Sequence, residues 1–298
     1  MATRVEVPTR ADGTPLFVLP PELAIDTDVA RRVIVDFIRS QLRQSGFERC
    51  VLGLSGGIDS GLVAYLVAAA VGPAALLCVR LPYRASSPAS LADAQAVIDD
   101  LGCPSETVEI TPMVDAFFAA PGNAEASALR RGNFMARMRM SALYDRSVTF
   151  GGLVVGTGNK TESLIGYTTL FGDSACAFNP IGDLYKSQVR QLAVAMGVPR
   201  SIIEKAPSAD LWPDQTDEGE GRFTYPELDR ALYWRIDRRR SVDEVVALGF
   251  DRETVERIDR MVATSEFKRQ VPPIAKLGPR TAGVDYLYPR RRPGSARS

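Results

Sequence analysis

Residues 49–71 read RCVLGLSGGIDSGLVAYLVAAAV, and the order of their parts decides the fold class. Arg49 to Leu54 is a short apolar run that ends at a glycine-rich segment, the pattern of a strand buried on both faces. Ser55-Gly56-Gly57-Ile58-Asp59-Ser60 reads as a turn, and Ser60 to Val71 as an alanine-rich helix. Strand, turn and helix in this order open a parallel crossover unit.

The unit recurs downstream. Ala74 to Leu81 predicts a second strand, Ser90 to Leu101 a helix ended near Gly102, and Glu106 to Ile110 a third strand. A long helical stretch from about Ala124 to Ser147 leads into a fourth strand, Gly152 to Gly156. The chain is therefore α/β, a doubly wound and mostly parallel sheet with a core over roughly residues 48–197. Upstream, a loose tail over residues 1–27 precedes a lead-in helix from Asp28 to Gly46. Downstream, Pro207 to Thr224 carries Asp214, Asp217, Glu218 and Glu220 without periodicity and reads as a mobile acidic loop. Two or three helices between Tyr225 and Glu266 make a smaller helical portion, and a basic tail follows over 277–298. One domain thus spans 28–276.

Composition narrows the chemistry. Acidic and basic residues balance at 36 each among 298, so no global field draws the chain to nucleic acid or membrane. Cys50, Cys78, Cys103 and Cys176 form no CxxC pair, which speaks against zinc and against a secreted disulfide framework; a reducing cytoplasm fits. The start lacks the long apolar stretch of a signal peptide, and no later run approaches a membrane span. There is no histidine, which excludes Ser-His-Asp triads and histidine metal sites. Carboxylates, amines, hydroxyls and backbone must do the work.

The Ser55–Ser60 turn lies where a strand gives way to a helix, so backbone N–H groups and the positive helix end face an anion. The same residues also suit a capped glycine turn with no ligand. Asp59 would repel phosphate unless a cation lay between them, which points to Mg²⁺. The segment lacks the lysine of a Walker A loop and is not GxGxxG. It resembles the PP-loop of the ATP pyrophosphatases, which cleave ATP between the α and β phosphates and activate a carboxylate or carbonyl as an adenylate. That group includes synthetases for NAD⁺, GMP, argininosuccinate and asparagine, and tRNA-modifying enzymes.

A second constellation chooses among them. Gly156-Thr157-Gly158-Asn159-Lys160-Thr161-Glu162 follows the fourth strand and shares the carboxyl edge of the sheet with the PP-loop. It continues into Gly166-Tyr167-Thr168-Thr169-Leu170-Phe171-Gly172-Asp173, then Asn179-Pro180-Ile181-Gly182-Asp183-Leu184-Tyr185-Lys186-Ser187, then Pro207-Ser208-Ala209-Asp210-Leu211. Together these resemble the NAD⁺ synthetase family, in order, from about Asp28 to Lys276.

The resemblance implies an adenine-nucleotide alpha hydrolase-like fold and an ATP site made of Gly53, Leu54, Ser55, Gly56, Gly57, Ile58, Asp59 and Ser60, with Thr157, Lys186 and Ser208. Asp59 and Glu162 would hold Mg²⁺. Arg80, ending the second strand, matches an arginine near adenine, although it equally suits a surface ion pair. Arg137, in Gly132-Asn133-Phe134-Met135-Ala136-Arg137, matches a contact to deamido-NAD⁺, as do Asp173 and the Phe267-Lys268 pair. Departures stand at Leu170, Ala177 and Phe267, where relatives carry lysine, aspartate and histidine. Asp173 is also a candidate to bind ammonium and take a proton from it.

The implied reaction joins the carboxylate of deamido-NAD⁺ to the α-phosphate of ATP; ammonia then displaces AMP to give NAD⁺. The stretch ahead of Ser55 is too short for a glutamine-hydrolysing module, so free ammonia is the expected donor. A homodimer is implied, with the 124–147 helix at its interface. The alternative is another PP-loop ligase, GMP synthetase-like or tRNA-modifying, for which a CxxC pair and a basic RNA-binding appendage are missing. A non-catalytic nucleotide binder would not need both Asp59 and Glu162 near phosphate.

Overall fold

A computed structural model of the chain describes residues 7–10, 12–123, 125–206 and 223–282. Four strands, β1 (Cys50–Gly53), β2 (Leu76–Arg80), β3 (Ser105–Thr107) and β4 (Leu153–Val155), form one sheet in the order β3-β2-β1-β4. Every pairing is parallel, with Leu52 opposite both Cys78 and Val155. The chain lays down β1, β2 and β3 in one direction and then returns to place β4 on the free side of β1. The β1–β4 gap is therefore the point where strand order reverses, where ligands bind in open sheets of this kind.

Helices provide the crossovers. α1 (Thr27–Ser45) begins on an Asp26 cap and ends at Gly46, whose φ is 72°. α2 (Ile58–Val71) follows β1, and its residues Leu62, Val63, Ala64, Leu66 and Val67 have no exposed surface. A helix this apolar on every side is a core element, and it packs against α1, β1, β2, α3 (Pro88–Leu101) and α7 (Lys186–Met196). α4 (Thr111–Ala119) and α5 (Ala128–Phe150) bridge β3 to β4, and α5 lies against β1 and β4. Beyond β4 come α6 (Lys160–Ile165) and α8 (Arg200–Glu204).

The carboxy-terminal portion has its own core. α9 (Tyr225–Leu232), a π-turn (Tyr233–Asp237), α10 (Val242–Ala247) and α11 (Arg252–Thr264) bury Tyr225, Leu228, Val245, Val255 and Ile258. That cluster also takes in Ile165, Tyr185 and Leu23, so α6 and the approach to α7 are held between the two cores.

Several expectations shift. The long helix starts at Ala128, where the Ser127 side chain accepts from the Arg130 amide, rather than at 124. The third strand is Ser105–Thr107, although the Val108 and Ile110 amides still bond to Arg80 and Pro82 carbonyls. The segment before α1 is not loose in its later part: Leu16 and Phe17 are buried in the sheet's core and Leu23 in the second. Cys78 and Cys103, distant in sequence, lie with their sulfurs 3.6 Å apart beneath the sheet. Of the acidic loop expected over 207–224, residues 207–222 lie outside the described residues, as do residues 283–298 of the basic tail expected over 277–298. No described helix is long and apolar enough to cross a membrane.

Candidate active site

The Ser55–Ser60 turn sits at the carboxyl end of β1 and is organised by its own hydroxyls. Ser60 Oγ accepts the Ser55 amide at 3.2 Å and donates to the Gly57 carbonyl at 3.1 Å. Ser55 Oγ lies 3.0 Å from Ser60 Oγ and accepts the Gly57 amide at 3.2 Å. Gly56 has a φ of +77°, and a Cβ there would overlap the Ser90 carbonyl oxygen at the start of α3. Only glycine lets this loop lie flat on its neighbour.

Asp59, in the first turn of α2, leaves the loop toward the end of β4. The β1–β4 pairing ends at Leu52 and Val155, and the chain then runs through Thr157 into α6. Asn159 caps that helix and is fully buried: its Oδ1 accepts the Glu162 amide at 2.9 Å, and Glu162 Oε2 accepts the Asn159 amide at 3.2 Å. Its remaining group, Nδ2, donates to Asp59 Oδ1 at 2.9 Å. One asparagine thereby fixes both carboxylates. The oxygens left over, Asp59 Oδ2 and Glu162 Oε1, receive Lys186 Nζ at 2.5 and 3.3 Å. Lys186 is 3% exposed, and its ammonium stands 5.2 Å from the centre of the Tyr225 ring.

A second group gathers on the loop that follows α6. Exposed Arg137 donates from Nε and Nη2 to the Leu170 carbonyl at 3.3 and 3.1 Å. Lys268 Nζ donates to the Gly166 and Thr168 carbonyls at 2.7 and 2.8 Å. Asp173 accepts from Thr168 Oγ1 at 2.5 Å and from the Thr169 amide at 2.8 Å. Phe171 holds a φ of 58° and is mostly exposed, as is Phe267. Thr169 Oγ1 meets Asn133 Oδ1 on α5 at 2.8 Å.

Two groups thus stand out: a glycine loop with a cationic–anionic cluster at the sheet's switch point, and a longer loop tied to α5 and to the Glu266–Arg269 turn. Residues 30–272 match the profile described as NAD synthase. The chain belongs to the NAD synthase family. It is 51% identical over 268 residues to the NH(3)-dependent NAD(+) synthetase of Trichlorobacter lovleyi, covering 90% of this chain and 97% of that one. Among solved structures it resembles an NH3-dependent NAD synthetase from Campylobacter jejuni, at a TM-score of 0.73 and 34% identity over 85% of this chain and all of that one. An NMN synthetase from Francisella tularensis superposes with a TM-score of 0.75 at 31% identity, with the same coverage.

Against this NAD synthase frame, Asp59, Glu162 and Lys186 come together in one contact cluster, with Gly53 to Ser60 beside them. Arg80 is half-buried at the end of β2, hydrogen-bonded through Nη1 to Gln95, while its buried Nε has no partner among the described residues. Arg137, Asp173 and Lys268 converge on the Gly166–Asp173 loop, not on the lysine cluster. Ser208 lies outside the described residues. Asn159 was not singled out as a site residue, although it stands inside the motif; its signature is a buried amide side chain three places before a glutamate. Among the described residues no cluster of three or more cysteine or acidic side chains could hold a metal ion. A pair of hard carboxylate oxygens completed by phosphate is nevertheless a set that suits Mg²⁺.

Proposed function

We propose that the chain makes NAD⁺ by ATP-dependent amidation of deamido-NAD⁺ with ammonia, releasing AMP and pyrophosphate. One observation carries this reading: buried Lys186 bridges Asp59 of the glycine loop and Glu162 of the β4 loop at the sheet's reversal point. In the first step a carboxylate oxygen of deamido-NAD⁺ attacks the α-phosphorus of ATP, and the bond to the β-phosphate breaks with its electron pair leaving on pyrophosphate. Ammonia then attacks the carbonyl carbon, AMP departs with the C–O electron pair, and the nitrogen loses a proton to form the amide. No side-chain nucleophile is needed.

The amides and hydroxyls of Ser55 to Ser60 bind phosphate oxygens, and the Lys186 ammonium offsets charge on the departing pyrophosphate. Asp59 and Glu162 would hold Mg²⁺, which when bound neutralises phosphate charge. Thr157, just past β4, and Arg80, at the end of β2, flank the nucleotide from either side of β1, and Ser208 is assigned to the same ATP site. Arg137, Asp173, Phe267 and Lys268 face deamido-NAD⁺. Orientation of the two substrates supplies much of the acceleration.

A mononucleotide counterpart of deamido-NAD⁺ is the second reading, prompted by the likeness to the Francisella NMN synthetase at 31% identity. Incubation with ATP, Mg²⁺, ammonium and either substrate decides it. Equal amounts of NAD⁺, AMP and pyrophosphate are expected with the dinucleotide; ADP, or faster turnover of the mononucleotide, would overturn the assignment. We further infer a cytoplasmic homodimer. Free thiols at Cys50, Cys78, Cys103 and Cys176 suit a reducing compartment, and Leu129, Tyr144 and Val148 give α5 an exposed apolar surface for a second copy.

A further inference from the structure

A helix N-terminus leaves backbone N–H groups without intrahelical partners, and local side chains normally take them up. α7 follows this pattern only in part: Gln188 Oε1 accepts the Tyr185 amide at 3.0 Å, but the next two amides are met from other elements. Tyr185, at its cap position, makes no side-chain capping bond. The Lys186 amide instead donates to Thr161 Oγ1 of α6 at 3.0 Å, and the Ser187 amide donates to Asp229 Oδ2 of α9 at 2.7 Å. Ser187 Oγ donates to the same oxygen at 2.6 Å, and Thr161 Oγ1 donates to Asp229 Oδ1 at 2.6 Å.

Asp229 has no exposed surface. Burying a carboxylate costs several kcal/mol unless donors meet it, so a carboxylate in such a place must satisfy groups that would otherwise be orphaned. Here it meets three donors and the positive end of α7. Burial pushes its carboxyl above the ordinary value, while the Ser187 and Thr161 hydrogen bonds and the Lys186 charge pull the other way. Its bonds reach the two elements that carry the cluster: Thr161 immediately precedes Glu162, and Ser187 immediately follows Lys186.

We propose that Asp229 is a positioning residue for the adenylation step: from the second core it fixes the first turns of α6 and α7, and so sets the Lys186 ammonium between Asp59 and Glu162. Asp229 touches no reacting atom. It acts through the register of Lys186, and the inference rests on the reading that Lys186 serves ATP.

The experiment is a double-mutant cycle on the full chain, following labelled AMP release and melting temperature. Asp229→Asn puts an amide where the donors require an acceptor. It is expected to lower kcat about ten- to a hundredfold, with the KM for deamido-NAD⁺ held within about threefold. In a Lys186→Ala background the same change is expected to cost less than about threefold more, because the group being positioned is gone. A kcat like wild type for Asp229→Asn, or a penalty that multiplies in full with that of Lys186→Ala, would overturn the proposal and leave Asp229 a stabilising residue only. Should Asp229→Asn fail to fold, Thr161 supplies the test: Thr161→Val should lose kcat and Thr161→Ser, which keeps the bridging hydroxyl, should recover most of it. Equal activity of the two would overturn the idea. If Lys186→Ala alone turns over like wild type, the role of Lys186 itself is wrong, a failure the cycle separates from that of Asp229.

Discussion

Asn159 shows how few atoms fix the centre of this site. Each polar atom of its side chain, together with its backbone N–H, is spent on Asp59 or Glu162. Asn159→Ala removes a helix cap and a charge-assisted hydrogen bond together, at a cost of about 2–3 kcal/mol in stability. With Asp59 then held by Lys186 alone, kcat should fall at least about tenfold while the fold, read by circular dichroism, is kept. Unchanged kcat at a lowered melting temperature would mean that Asn159 acts on stability alone. Asp59 and Glu162 were legible in the sequence because each lies in a contiguous motif just past a strand end, and Lys186 because it stands in the Asn179–Val189 motif that opens α7. Asn159 was half-legible, since an asparagine three residues before a glutamate announces a cap but not its reach across to Asp59. Asp229 was illegible: it meets Thr161 across 68 residues, and nothing local marks an aspartate on α9 as buried.

Among the elements, those with an unbroken apolar pattern were readable to within a few residues. β1 and α2 emerged from residues 49–71 almost as written, because a strand covered on both faces and an all-round apolar helix leave no polar alternation to mislead. The segment before α1 was misread because prolines and sparse hydrophobics hide its docking. Glu22 there accepts from Arg230 Nε on α9 at 2.7 Å, joining the amino-terminal segment to the second core. Burial works against ionisation of Glu22, but the Arg230 guanidinium, together with the Glu22 backbone amide and the Trp234 side chain, outweighs it and holds the carboxyl below its ordinary value of 4.5. A depressed carboxyl pKa contributes stability that is present above 4.5 and lost as pH falls through the folded-state value. Glu22→Gln should therefore lower stability by about 1 kcal/mol at neutral pH, with the gap to wild type closing in acid. A gap that persists unchanged below that pH would assign the loss to packing.

At the scale of the molecule, the strand order β3-β2-β1-β4 puts the loops after β1 and β4 side by side, and the second core clamps α6 and α7 from beyond. The alternation of strands and helices announced the parallel sheet, whereas the clamp depends on long-range packing that periodicity does not carry. Leu129, Tyr144 and Val148 are exposed on α5, the apolar surface on which the proposed dimer rests. Sedimentation at micromolar concentration should find a dimer, and Val148→Glu should shift it toward monomer; an active wild-type protein that sediments as a monomer would contradict the shared interface. The central claim is that ATP is spent on activating a carboxylate, and oxygen transfer tests it most directly. Deamido-NAD⁺ carrying heavy oxygen in its nicotinate carboxylate is turned over with ATP and ammonium, and the AMP is analysed by mass. One labelled oxygen should appear in each AMP, with NAD⁺ keeping the other; unlabelled AMP, or label in phosphate released with ADP, would contradict the account.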